Sequence, residues 1–317
     1  MKAAIVTAAG KTPAYGDFQD PVPSDGEVRV KVTAAALPRL AKMRAAGTHY
    51  SSTSVFPFVP GIDGVGKLDD GQRVYFAAPT APFGSMAELT VVKRSQCVPL
   101  PDDLDDVTAA AIANPGMASM AALKERAKLV PGETVLINGG TGSAGRLSVQ
   151  VAKYLGANRV IVTGRDEASL AGVHELGADV TILLTPTQEL ASALAEEFRT
   201  GVNVVLDYLW GPAAEQIILA AAKNGREGER MRYVQIGSLA GETIELPAQA
   251  LRATALELMG TGLGSVHLDQ LVADIGEVLR ATKPRHFEVK TTTEPLANVE
   301  TAWLADTGSP RMVFLVD

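Results

Sequence analysis

Residues 133–157 read ETVLINGGTGSAGRLSVQVAKYLGA, and the passage from apolar to glycine-rich to amphipathic within this stretch decides the fold. Thr134 to Ile137 make a short apolar run of strand type, whereas Leu147, Val151, Ala152 and Leu155 recur at helical spacing. Gly139, Gly142 and Gly145 lie between them, where a buried strand must turn sharply into a helix. A glycine at 142 lets an anion approach the backbone, and one at 145 lets the helix pack tightly on the strand. The helix N-terminus with its dipole favours negative charge. A second strand ends about 20 residues further on, the context expected of a dinucleotide site. The segment therefore predicts a pyrophosphate cradle made by Thr141, Gly142, Ser143 and Ala144.

Outward from this stretch the chain alternates. RVIVTG is followed by DEASLAGVHELGA, DVTILL by TQELASALAEEFRTG, and VNVVLDY by AAEQIILAAAK; RYVQIG and TALELMG add two further strands. The strands carry few charges, as strands covered by helices on both faces do. The alternation predicts an α/β fold with a doubly wound parallel sheet. NGREGERMR, residues 224–232, reads as a charged surface turn, and Glu196 and Glu197 read as solvated charges on an exposed helix. Residues before about 114 differ in texture. EVRVKV alternates charged and apolar residues, GQRVYFAA and MAELTVVK add strands, and Gly and Pro punctuate them, so this head reads as β-rich. HLDQLVADIGEVLRAT predicts a helix, and the tail after it returns to mixed β structure. The expected division is 1–114 with 263–317 as one domain and 115–262 as the nucleotide domain.

The end of the second strand selects the dinucleotide. An NAD site usually places a carboxylate there, on the ribose 2′-hydroxyl. This chain has Gly164 and Arg165, and a guanidinium suits a 2′-phosphate through bidentate charge-assisted bonds, so the expected cofactor is NADPH. Asp166, one step on, is the competing signal and equally suits a helix cap. The later strand ends, DYLWG, IGSLAG and MGTGLGS, fall at the edge where such sheets bind ligands. They nominate Tyr208, Ile236, Gly237, Ser238 and Gly262 as further cofactor contacts. Asn114, in ANPGMAS, is a candidate contact to nicotinamide or substrate, although Asn-Pro-Gly also reads as a turn.

Bulk properties exclude several classes. A net charge of −7 makes nucleic acid and anionic membrane surfaces poor partners. No apolar run approaches the roughly 20 residues of a membrane span, and the first residues read as a strand, not as a signal peptide. The single cysteine, Cys97, cannot form an internal disulfide and fits a reducing cytoplasm.

The β-rich head, the segment from PGETVLINGGTGSAGRLSVQVAKYLGA through VLDYLWG and IGSLAG, and the returning tail together resemble the medium-chain dehydrogenase/reductase superfamily nearly end to end. Within it the chain is similar to the zinc-independent quinone oxidoreductase branch. That resemblance implies a groES-like catalytic head, a Rossmann domain, NADPH, and hydride delivery to a small-molecule quinone or α,β-unsaturated carbonyl. It also implies a homodimer joined through the nucleotide-domain sheets. Zinc-dependent relatives carry a histidine and a glutamate after a Pro-Gly; VPGIDGVG puts Ile62 and Asp63 at those positions. His49 and Cys97 are the head's only soft ligands, and His174, His267 and His286 are scattered, so no catalytic metal is expected. The family's Asn and Asp before the head's Gly-x-Tyr are replaced by Pro38 and Ala41 in AAALPRLAKMRAAGTHY. The remaining polar candidates are Tyr50, the first choice as donor to the acceptor oxygen, with His49 and Arg39 as alternates. TGSAG has Thr141 where a nucleophile elbow needs glycine, so hydrolase chemistry is not expected. A zinc-free alcohol dehydrogenase and a non-catalytic NADPH-binding redox sensor are the competing readings.

Overall fold

A computed structural model describes residues 1–185 and 188–316. The chain divides into two compact units, Met1–Asn114 with Leu268–Asp317, and Pro115–His267. The stretch 263–267, expected with the tail, lies with the second unit, where Leu263 bridges Val266 in the loop after the last strand.

The head begins with the antiparallel pair β1 (Lys2–Ile5) and β2 (Ala14–Asp17). Its main sheet is built from β3 (Glu27–Ala36), β4 (Asp63–Leu68), β5 (Arg73–Ala77), β6 (Leu89–Lys93) and β7 (Cys97–Pro99). Strand β3 shows why these residues form a sheet. Val30 and Val32 face the core while Arg29 and Lys31 are exposed. A register shift against β4 between Val32 and Ala34 then moves the core-facing set to Ala35 and Leu37. Two helices interrupt this β-rich region, which the turn-rich sequence concealed. Helix α1 (Arg39–Ala46) ends at Gly47 in the left-handed region, φ 74°. Helix α2 (Asp106–Met120) is fastened at its start, where Asp106 accepts from Arg73 and Thr33. It runs through Asn114 and Pro115 as helix, so Asn-Pro-Gly makes no turn here, and it continues as one π-helical turn, Ala121–Arg126.

The second unit is a six-stranded parallel sheet. Its strands are β8 (Thr134–Asn138), β9 (Arg159–Gly164), β10 (Val180–Leu183), β11 (Val204–Asp207), β12 (Arg230–Gln235) and β13 (Ala255–Gly260). Their order is β10-β9-β8-β11-β12-β13, so the chain winds outward twice from β8. Between the strands lie α3 (Ser143–Tyr154), α4 (Glu167–Ala171), α5 (Gln188–Thr200), α6 (Gly211–Asn224) and α7 (Ala248–Arg252). Thr187, with which the sequence opened the fifth helix, lies outside the described residues. Leu136, Ile161, Val205 and Tyr233 from the sheet meet Leu194, Phe198 and Ile217 from α5 and α6 in one core. After this unit, α8 (Leu268–Thr282), β14 (Thr291–Pro295), α9 (Val299–Ala305) and β15 (Arg311–Leu315) bring the tail back to the head, where β15 pairs antiparallel with β3.

Three local expectations are corrected. The helix expected over 166–178 stops at Ala171, because Gly172 caps it and the chain turns on to Gly177, φ 105°. Glu197 is not solvated; it is buried and pairs with Arg159 at 2.8 Å. The charged stretch 224–232 is more than a surface turn, since β12 begins at Arg230 and Arg232 is 2% exposed. The Arg232 guanidinium donates to the carbonyl of Ala127 at 3.0 Å and to Glu133 Oε1 at 2.5 Å, tying the π-helical turn to the sheet. Replacing Arg232 with Met strands the Glu133 carboxylate and the Ala127 carbonyl. The expected loss is about 3 kcal/mol of stability, read from the urea midpoint of purified protein; an unchanged midpoint contradicts the assignment.

Candidate functional site

Every parallel strand delivers its carboxyl end to one edge of the sheet, and there β8 turns into α3 through the glycine loop. Gly139 has φ 83°, which only glycine adopts freely. A Cβ on Gly145 would lie 2.5 Å from the Gly140 Cα, so the helix packs directly on the loop backbone. Gly142 differs: it is exposed, and a Cβ there would meet nothing within 4 Å. No side chain caps α3, whose first turn includes the predicted cradle residues Ser143 and Ala144. The protein thus closes tightly around Gly145 and leaves its backbone bare at Gly142.

The loop is held by a buried polar network absent from the sequence reading. Asp207, at the end of β11, accepts hydrogen bonds from Asn138 Nδ2 (2.7 Å), the backbone N–H groups of Leu209 (2.9 Å) and Trp210 (3.1 Å), and the Tyr233 hydroxyl (2.8 Å). Thr163 Oγ1 donates to Asn138 Oδ1 at 2.7 Å and accepts the Gly139 N–H at 3.1 Å. Four strands are therefore stitched to the first residue of the loop. Burial pushes the Asp207 carboxyl above the ordinary range, against the pull of the Leu209 and Trp210 N–H groups, Tyr233 and Asn138. A charged residue ending an otherwise apolar strand was the signal that marked it.

Gly164 ends β9 beside the loop. A Cβ there would lie 2.6 Å from Thr141 Cγ2 and 3.0 Å from Leu170 Cδ2, so this position has no room for a side chain. Arg165 follows it, exposed. Asp166 caps α4, accepting the Ser169 N–H at 2.7 Å, and that bond lowers its carboxyl below the usual value. The acid beside Arg165 is thus engaged with its own helix.

Further along the edge, Ile236 and Gly237 donate their N–H groups to the Asp207 carbonyl at 2.7 and 3.1 Å. Ser238 Oγ donates to Glu242 at 3.2 Å, and the Gly262 N–H donates to Ser265 Oγ at 2.8 Å. A cleft of about 440 Å³ opens here, lined by Trp210, Gln235, Ser238 and Glu242 and by Leu258–Gly260 of β13. Tyr208 differs from expectation: its hydroxyl points inward, to Ser148 and Ser119, and the residue is 8% exposed. Thr141, Gly142, Ser143, Ala144, Gly164, Arg165, Tyr208, Ile236, Gly237, Ser238 and Gly262 all belong to the parallel-sheet unit and follow its strands' carboxyl ends.

The remaining candidates belong to the head. Arg39 opens α1 and is exposed, whereas His49 and Tyr50 follow the other end of that helix. The His49 and Tyr50 rings lie 4.0 Å apart, His49 Nδ1 is 2.8 Å from Ser51 Oγ, and Tyr50 is 74% exposed. Burial, with Arg44 nearby, holds His49 below the ordinary imidazole value. Asn114 is half-buried on α2, beside Asp63. A buried ionisable group here escaped the sequence reading. Tyr75 donates to Asp63 Oδ2 at 2.7 Å, while Asp63 Oδ1 and the Nε and Nη2 of Arg311 have no hydrogen-bond partner among the described residues. Burial pushes Asp63 up, and Tyr75 and the Arg311 charge oppose it.

Residues 144–280 match the zinc-binding dehydrogenase family model. The chain is 29% identical over 357 residues to a probable NADPH-dependent quinone reductase of Emericella nidulans, covering 99% of this chain and 100% of that one. It is 27% identical to mouse prostaglandin reductase-3 over 66% of this chain and 56% of the relative. Among solved structures, the quinone oxidoreductase of Thermus thermophilus, determined also with NADPH, superposes with a TM-score of 0.83 at 26% identity, covering 99% and 100% of the two chains. The end-to-end match of sequence and fold, and the glycine loop at the switch of the sheet, make the chain similar to the quinone oxidoreductases of the medium-chain dehydrogenase/reductase superfamily.

Proposed function

We propose that the protein is an NADPH-dependent oxidoreductase that reduces a quinone or an α,β-unsaturated carbonyl without a metal ion. The observation that carries this reading is the contrast within the loop: the backbone is crowded at Gly145 and bare at Gly142, as a pyrophosphate requires. The residues present fit the cofactor. Thr141, Gly142, Ser143 and Ala144 hold the pyrophosphate, Gly164 and Arg165 the 2′-phosphate, and Ile236, Gly237, Ser238 and Gly262 line the way to the nicotinamide, with Asn114 a further contact. NADPH, when bound, supplies the hydride. Gly164 adds no carboxylate to repel a phosphate, and Asp166 caps α4 through the Ser169 N–H beside the exposed Arg165.

The chain's own part in the chemistry is to orient the acceptor and stabilise charge on its oxygen. The Tyr50 hydroxyl has no hydrogen-bond partner among the described residues and is available as that donor, with His49 stacked beside it and Arg39 as an alternate. Among the described residues no group of three or more His, Cys, Asp and Glu side chains is placed to hold a metal ion. Nor is any helix among them long and apolar enough to cross a membrane. The protein acts in the cytoplasm as a homodimer, and β13 is the surface for the second copy: it is one of the sheet's two edges, with Leu258 38% exposed.

Three measurements test these assignments. With NADPH consumption followed optically, a panel of quinones and enones includes acceptors that are reduced at rates unaffected by a chelator; no turnover across the panel favours a binding protein instead. Arg165→Ala weakens NADPH by about tenfold or more and spares NADH, and equal loss of both refutes the phosphate assignment. Gly142→Ala leaves the melting temperature unchanged but weakens both nucleotides, whereas Gly145→Ala lowers the melting temperature itself. Full affinity in Gly142→Ala excludes the cradle.

A further inference from the structure

Three hydroxyls meet inside the parallel unit. Ser119 Oγ lies 2.8 Å from Ser148 Oγ and 3.4 Å from the Tyr208 hydroxyl, and Tyr208 is also hydrogen-bonded to Ser148. Each serine reaches a carbonyl of its own helix as well, Ser119 that of Pro115 at 2.9 Å and Ser148 that of Ala144 at 3.0 Å. Both serines are fully buried and the Tyr208 ring nearly so. None of the three hydroxyls is available to a ligand.

We propose that Tyr208 is a positioning residue for the nucleotide: its hydroxyl fixes the rotation of α3 and thereby the aim of the pyrophosphate cradle. The inference rests on the cofactor reading above and replaces direct contact by the Tyr208 side chain with an indirect role. Proton counting supports it. Carbonyl oxygens only accept, so when the two serines donate to Pro115 and Ala144, the Tyr208 proton is the one left to join them. Tyr208 is itself fixed at its backbone, where its N–H donates to the Asn138 carbonyl at 3.1 Å, and Asp207 precedes it. It is therefore a strut from the rigid strand ends to α3. It reaches α3 at Ser148, whose other bond holds Ala144 in the first turn, among the residues assigned to the phosphates.

The pyrophosphate is common to NADPH and NADH, whereas the 2′-phosphate is not. Tyr208→Phe keeps the ring and leaves both serines with carbonyl partners, so the fold tolerates it. Isothermal titration of the purified protein is expected to show both nucleotides weakened by the same factor, about three- to tenfold, the worth of one hydrogen bond, with their ratio as in wild type. Ser148→Ala, which removes the partner, gives the same equal loss, and the double variant loses no more than either single one. Arg165→Ala supplies the contrast, since there the ratio changes. A Tyr208→Phe protein of lower melting temperature but unchanged affinities overturns the inference and leaves the cofactor reading standing, as does a loss confined to NADPH. Wild-type protein that binds neither nucleotide overturns both.

Discussion

A carboxylate sealed at the ends of parallel strands is the constraint from which the site follows. Asp207 has no exposed surface and accepts four hydrogen bonds, one from β8, two from the chain that leaves β11 and one from β12. Each buried donor left unpaired costs about 1–3 kcal/mol, so the four fix the carboxylate and the carboxylate fixes them. Through Asn138 and Thr163 the same network reaches the Gly139 N–H, where the chain enters its left-handed turn. A loop made of glycines would otherwise be the least ordered part of the unit. Here its entry is pinned by polar contacts and its exit by the close packing of Gly145, while the exposed backbone between them needs no partner of its own.

That arrangement separates two tasks. As the proposed cradle, the bare backbone at Gly142 serves any dinucleotide, because the pyrophosphate is common to all of them. In the proposed reading, choice between them falls to the end of β9, where the exposed Arg165 follows a position with no room for a side chain. On that reading affinity and selectivity fall to different residues, at the ends of different strands.

Much of this was legible in the sequence because it depends on local chemistry. The spacing of Gly139, Gly142 and Gly145, the switch of period from two to 3.6 and the small residues at strand ends are all written within a few positions of one another. What was hidden depends on distant pairing. Glu197 looked solvated because its partner, Arg159, is 38 residues away. Arg232 looked like part of a charged turn because the groups that neutralise it, Glu133 and the Ala127 carbonyl, come from a π-helical turn and the loop before β8. Tyr208 was legible as a strand-end residue, but the direction of its side chain was not, since that is set by serines on two helices. The head was harder still: Asp63 and Tyr75 meet across the paired strands β4 and β5, and Arg311 joins them only when the tail returns to pair with β3.

The contact between position 164 and Thr141 also limits the order in which this pocket can change. A carboxylate placed at 164 itself would require a side chain where Thr141 and Leu170 already leave no room. A carboxylate at 164 itself therefore waits on a smaller residue at 141. Until then position 164 stays closed to any side chain, and a change of charge can come only from its neighbours.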